Sequence, residues 1–178
     1  MKKLLNKITT GWLALGLFVG CATIAALTAA QIATIGTVVT QVADDSAIYA
    51  IQQDKNNATY FKLANQVLDN FAQGTDLSPT ALQAALAKVT STNQWVNLAI
   101  SSAVAIYDIS YSQYISSQLA NTPAAKAWIL DAEAGFKQAL ASTGTSLKIA
   151  QLPSWYKNGI VDKVTLKAKI DAAVKAGK

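Results

Sequence analysis

At 178 residues the chain suits one domain with a real core, and its charged fraction of 14% is well below the ~25% usual for globular proteins. It has no His and a single cysteine, Cys21, which excludes Ser-His-Asp and Cys-His nucleophile systems, Cys/His zinc sites and any intramolecular disulfide. The net charge of +5 is carried by Lys alone, and without Arg forks for guanine and phosphate the chain is not expected to read nucleic acid.

The first seven residues, with Lys2, Lys3 and Lys7, form a short basic leader. Gly11 to Gly20 follows as an uncharged stretch of signal-peptide length, too short to span a bilayer alone. The next feature, Phe18-Val19-Gly20-Cys21, resembles the lipobox of bacterial prolipoproteins. That resemblance implies cleavage before Cys21, acylation of its sulfur and new amino group, and anchorage in a lipid bilayer, since two or more acyl chains hold a protein stably. Ala22, rather than Asp, after the cysteine points by the same resemblance to the outer membrane, facing the periplasm, in a cell that has one.

A second reading stays open at this point. No charge appears from Ile8 to Ala43, a window long enough for an uncleaved spanning helix in a membrane-inserting oligomer or virion component. The pattern after Cys21 bears on the choice. Ile24, Leu27, Ile32, Ile35, Val38/Val39 and Val42 recur at helical spacing, opposite a polar stripe of Gln31, Thr34, Thr37, Gln41 and Asp44/Asp45. A lipid-facing helix is apolar all round, so this one is expected to pack one face on a domain, with the two aspartates solvated.

This first helix is expected to run to about Gln53, ending in the polar break Asp54-Lys55-Asn56-Asn57. A second helix carries Tyr60/Phe61, Ala64, Val67/Leu68 and Phe71 on one face and stops near Gly74. Ser78-Pro79 opens a third, running to about Val89: Ser caps free backbone N–H groups and Pro sits where its missing N–H costs nothing. The fourth, Gln94 to about Leu119, has two apolar flanks and is expected to be central. A fifth runs from Pro123 to about Ala141, with Trp128 and Phe136 facing inward. Ser142 to Ser146 reads as a linker, and Asp162 to Ala176 as a last, Lys-rich helix with Val164, Ile170 and Val174 apolar. No strand pattern is evident. The expected fold is all-α, a small bundle of four to five helices with an N-terminal signal or apolar helix and a more loosely held Lys-rich C-terminal helix. Its parts are a signal peptide at 1–20, a helical domain at 21–143 and a basic C-terminal segment at 144–178.

Charge divides the same way. Residues 21–143 carry five Lys against eight acids, and residues 144–178 seven Lys against Asp162 and Asp171. Lys157, Lys163, Lys167, Lys169 and Lys175, with Trp155-Tyr156 nearby, match a segment lying on an anionic surface, such as lipid headgroups or an envelope polymer. Tyr107, Tyr111 and Tyr114 share one helix face around Asp108 and are candidates for contact with a partner. No Gly-rich phosphate loop, carboxylate pair or metal-ligand cluster stands out, so no cofactor, metal or catalytic residue is expected. The function expected is non-enzymatic: an envelope lipoprotein with a structural or partner-binding role. Low charge, no His and Ala/Thr richness also suit phage- and prophage-encoded proteins.

Overall fold

A computed structural model of the chain describes residues 27–89, 92–115, 123–142, 153–157 and 160–176. Within them the protein is mostly helical, as expected. Six α-helices follow in order: α1 (Ala29–Gln53), α2 (Ala58–Ala72), α3 (Pro79–Leu86), α4 (Gln94–Tyr114), α5 (Pro123–Ser142) and α6 (Lys163–Ala176). Tight 3-10 turns at Lys55–Asn57 and Ala87–Val89 link them, and a two-residue antiparallel ladder, β1 (Tyr156–Lys157) against β2 (Ile160–Val161), precedes α6. The signal-like segment with Cys21, the chain beyond Ile115 at the end of the fourth helix, and the linker at 143–146 lie outside the described residues.

The helix starts follow from local chemistry. Thr28 opens α1 with a reciprocal capping box: its hydroxyl accepts from the Gln31 amide, and the Gln31 side-chain oxygen accepts from the Thr28 amide. Ser78 caps α3 by accepting from the Ala81 amide at 3.3 Å, with Pro79 in the first turn as its sequence predicts. Asn93 does the same for α4 through the Trp95 amide.

α1 is the central element and packs on α5, α4 and α6. It runs in the same direction as α5. The Trp128 indole N–H donates to the Ile32 carbonyl at 3.0 Å, and three residues further along α5 the Asp131 carbonyl accepts from the Thr40 hydroxyl at 3.0 Å. The two backbones come so close at Gly135 that a methyl group there would lie 2.7 Å from the Ala43 Cβ and 3.0 Å from the Asp44 nitrogen. Phe61 on α2 meets Phe136 on α5 with ring centroids 5.2 Å apart, carrying the core to the other side of α5. α4 is the buried element its two apolar flanks predict, with Val96, Ala99, Ile100, Ala103, Ile106 and Tyr107 all inside.

Three expectations are corrected. The C-terminal segment is not loosely held where it is described: Trp155, Tyr156, Leu166 and Ile170 belong to the same hydrophobic core, and α6 packs against both α1 and α4. Its inward face is also shifted. Leu166 and Ile170, one turn apart, are fully buried, whereas Val164 is 78% exposed because it lies two residues, about 200° of helix, from Leu166. Finally, Asp44 and Asp45 are half-buried rather than solvated.

Asp44 feels that burial. Desolvation, aided by the neighbouring Asp45 charge, pushes its carboxyl up to about 6, and one of its oxygens is buried without a hydrogen-bond partner. Asp45 is raised by burial too, but Lys169 opposes the shift. A carboxyl whose folded pKa exceeds its unfolded value favours the fold when protonated. The contribution is therefore full below about pH 4 and is lost as pH rises to about 6. At full burial such a shift corresponds to ~3 kcal/mol; solvent screening at this partly open site cuts it to ~1 kcal/mol. Asp44→Asn is accordingly expected to stabilise the protein by ~1 kcal/mol at pH 7.5 and by nothing at pH 4, measured by urea unfolding at both. Equal effects at the two pH values would mean that charge burial is not the cause.

Candidate functional site

A groove of about 650 Å³ opens over α4. Leu98, Ser101, Val104 and Ala105 of α4 form its floor, the first turns of α3 with Thr80 and Gln83 form one wall, and Ile160 and Val161 of β2 form the other. Ile160 is 70% exposed, an apolar lip beside the groove. Ser78-Pro79 capping fixes where α3 begins, and pairing with β1 holds β2 opposite it. The hairpin is held in turn by the Asp162 amide, which donates to the Trp155 carbonyl at 2.7 Å.

One end of the groove is closed by charge. Lys163 at the start of α6 pairs with Asp108 of α4 at 3.0 Å, and Ser112 adds a bond to the other Asp108 oxygen. The remaining polar lining is neutral. Among the described residues no three Asp, Glu, His or Cys side chains gather as a cation site. What the arrangement offers is a surface that fits an uncharged, partly apolar segment.

Of the lysines read as an anionic-surface face, three stand in ion pairs while their side chains stay more than half exposed. Lys157 pairs with Asp162 at 2.6 Å and Lys167 with Asp171 at 2.7 Å, and hydrogen bonds from these lysines hold both carboxyls below the usual carboxylate range. Lys163 pairs with Asp108, and Lys169 lies 5.2 Å over the Trp155 ring on the side where it also offsets Asp45. Lys175, exposed in the last turn of α6, is in none of the four ion pairs among the described residues. Asp162 and Asp171 already belong to the C-terminal segment's own count, so of these pairs only Lys163–Asp108 offsets its excess of positive charge.

The tyrosines separate. Tyr107 is fully buried, its hydroxyl donating to the Leu77 carbonyl, and burial holds its phenol well above the ordinary range. It cannot touch a partner; it pins the loop before α3 to α4. Tyr111 packs its ring against it at a tilt, with centroids 5.8 Å apart, and is half-buried. Tyr114 is half-buried as well, and Gln113 donates both to its hydroxyl and to Asp171, tying α4 to α6. Asp131 and Glu133 face different ways, as their spacing predicts. Asp131 lies against Gly36 of α1, while Glu133 pairs with Lys137 at 2.7 Å. Cys21 lies outside the described residues.

No protein-family model, curated protein or solved structure matches the chain. The site therefore stands on its own geometry. Sequence reading missed the groove, whose walls lie some eighty positions apart. The one local hint is Ile160, a large apolar residue next to Asn158-Gly159, a dipeptide that favours a tight turn.

Proposed function

We propose that the protein is a non-enzymatic envelope lipoprotein, acylated at Cys21 after removal of residues 1–20, that holds a helical domain at a membrane and contacts a partner there. The observation that carries this reading is the start of α1. The capping box at Thr28 begins a helix only after Cys21, and Ile35, Gly36, Val39, Val42 and Ala43 of that helix are spent on the domain core. Residues 29–43 are then not free to form the second half of a helix spanning from Ile8, and no helix among the described residues is long and apolar enough to cross a membrane. Six residues separate Cys21 from Thr28, a reach of roughly 25 Å between the two Cα atoms at full extension, so the anchor would keep the domain close to the lipid surface.

In this reading partner contact falls on the groove over α4 rather than on the tyrosines, since Tyr107 is buried and the groove is open. Its neutral lining fits an uncharged stretch of an envelope protein better than an anionic polymer. The paired lysines beside it have carboxylates of their own. A phage or prophage source is compatible with the composition and adds nothing to the mechanism.

The test is metabolic labelling with a fatty-acid probe. Label is expected on the wild-type chain and absent from Cys21→Ala, with a mature N-terminus at residue 21 in the labelled protein. Equal labelling of both chains, or label on neither, would end this reading in favour of an unprocessed N-terminus.

A further inference from the structure

Two large apolar side chains stand well out in water, and both belong to the C-terminal segment. Among the described residues, Ile160 on β2 is 70% exposed and Val164 in the first turn of α6 is 78% exposed, against 46% for Leu63, the next in rank. The fold puts the two on adjoining surfaces. Ile160 pairs with Lys157 across the ladder, so they share its outer face, while Tyr156 points to the buried one. The Lys157 ammonium reaches on to Asp162 at 2.6 Å and to the Thr165 hydroxyl at 3.5 Å, residues on either side of Val164 in the chain. From Val164 the outer stripe of α6 continues through Lys167, Ala168, Ala172 and Lys175, all exposed, with Leu166 and Ile170 turned to the core.

The charge on this face points outward even where it is paired. In each ion pair the ammonium is the more exposed end: 64% for Lys157 against 17% for Asp162, 62% for Lys163 against 36% for Asp108, and 53% for Lys167 against 44% for Asp171. Solvent therefore meets the positive ends of these pairs, and Lys175 adds a charge outside them. Residues 21–143, by contrast, carry eight acids against five Lys. An anionic surface thus attracts the C-terminal side of the protein more than any other.

We infer that this face lies on a bilayer with anionic headgroups, with Ile160 and Val164 entering the boundary between headgroups and acyl chains and Lys157, Lys163, Lys167 and Lys175 meeting the phosphates. Apolar tips bracketed by lysines suit that boundary: the apolar carbons leave water there while the ammonium groups stay among the headgroups. Lys169 takes no part, being turned in over the Trp155 ring. The inference rests on the domain being held at a membrane, as proposed above, but not on how the chain is anchored. It gives the tethered domain a fixed side toward the lipid.

The experiment places an environment-sensitive nitrobenzoxadiazole label on the full chain at Ile160→Cys, Val164→Cys or Gln66→Cys, each combined with Cys21→Ala, and adds lipid vesicles. On phosphatidylcholine vesicles containing phosphatidylglycerol, the labels at 160 and 164 are expected to brighten several-fold and shift to the blue. The label at 66, exposed on α2, should change little. On phosphatidylcholine alone all three should stay in water. Each surface lysine contributes roughly fivefold at an anionic membrane, so Lys167→Gln with Lys175→Gln should weaken the response several-fold. Labels at 160 and 164 that stay wet on phosphatidylglycerol, brighten no more than the one at 66, or respond equally on neutral vesicles overturn the inference. So does an equal response to soluble dextran sulfate, which would make the partner an anionic polymer. Every chain here lacks the Cys21 sulfur, so a failure of the fatty-acid labelling above leaves these outcomes separately readable.

Discussion

Gly135→Val is expected to cost ~4 kcal/mol or more, enough to leave a marginal domain largely unfolded, and Gly135→Ala ~2–3 kcal/mol. The reason is what a side chain there would strike. A Cβ on Gly135 meets the Thr40 carbonyl, the Ala43 methyl and the Asp44 backbone nitrogen, two of them main-chain atoms of α1 that cannot rotate aside. α1 and α5 would have to part, and with them the Trp128–Ile32 and Thr40–Asp131 hydrogen bonds that depend on the same approach. The gain of ~1 kcal/mol that Ala brings to a helix interior offsets only part of this. Gly36→Ala is the control on the same interface. Its Cβ meets the Asp131 carboxylate, the far end of a side chain that can swing away, so the helix-forming gain and the repacking cost should nearly cancel. Urea unfolding of the three variants separates them. A Gly135→Ala chain as stable as Gly36→Ala would mean that α1 and α5 are not in backbone contact.

That contact also marks a boundary of what the amino-acid order discloses. Helix existence was legible because it rests on local signals: the 3.6-residue apolar spacing, Ser78-Pro79, and Gly74 after α2. The place of Gly135 beside Phe136 on the inward face of α5 was legible too, but not its contact with a backbone, because a glycine looks the same whether it faces side chains or main chain. The ion pair of Lys163 was not legible for a related reason. Lys163 and Asp108 are 55 positions apart, so a count along the chain does not register their ion pair. Trp155 and Tyr156 stand next to the C-terminal lysines and read as their surface companions. Their size was the overlooked signal, since two adjacent large aromatics bury more area than a solvated tail would leave exposed. The groove over α4 was the least legible of all, being a relation among α3, α4 and β2 that no one segment carries.

Asn57→Ala is expected to destabilise the protein by ~2–3 kcal/mol, while Asn56→Ala, its immediate neighbour, should change stability by less than ~0.5 kcal/mol. Local sequence treats the pair alike, as part of a polar break. In the fold Asn56 is exposed and Asn57 is 1% exposed. The Asn57 amide nitrogen donates to the Ala50 carbonyl at 2.7 Å, a second bond to an acceptor that also takes the Asp54 amide at the end of α1. Its oxygen accepts from the Asn93 side chain at 3.0 Å, and the Asn93 oxygen in turn caps α4. One side chain with both a donor and an acceptor thus links the end of α1 to the start of α4; Asp in its place would keep the acceptor and lose the donor. Truncation removes two hydrogen bonds from a junction in which the Asn57 side chain is itself buried. Coupling should therefore appear in a double-mutant cycle, with Asn93→Ala adding much less in the Asn57→Ala background than alone. Additive losses, or an Asn57→Ala chain matching Asn56→Ala, would shift the weight of this junction to the Tyr49–Trp95 edge-on contact beside it, 5.3 Å between centroids.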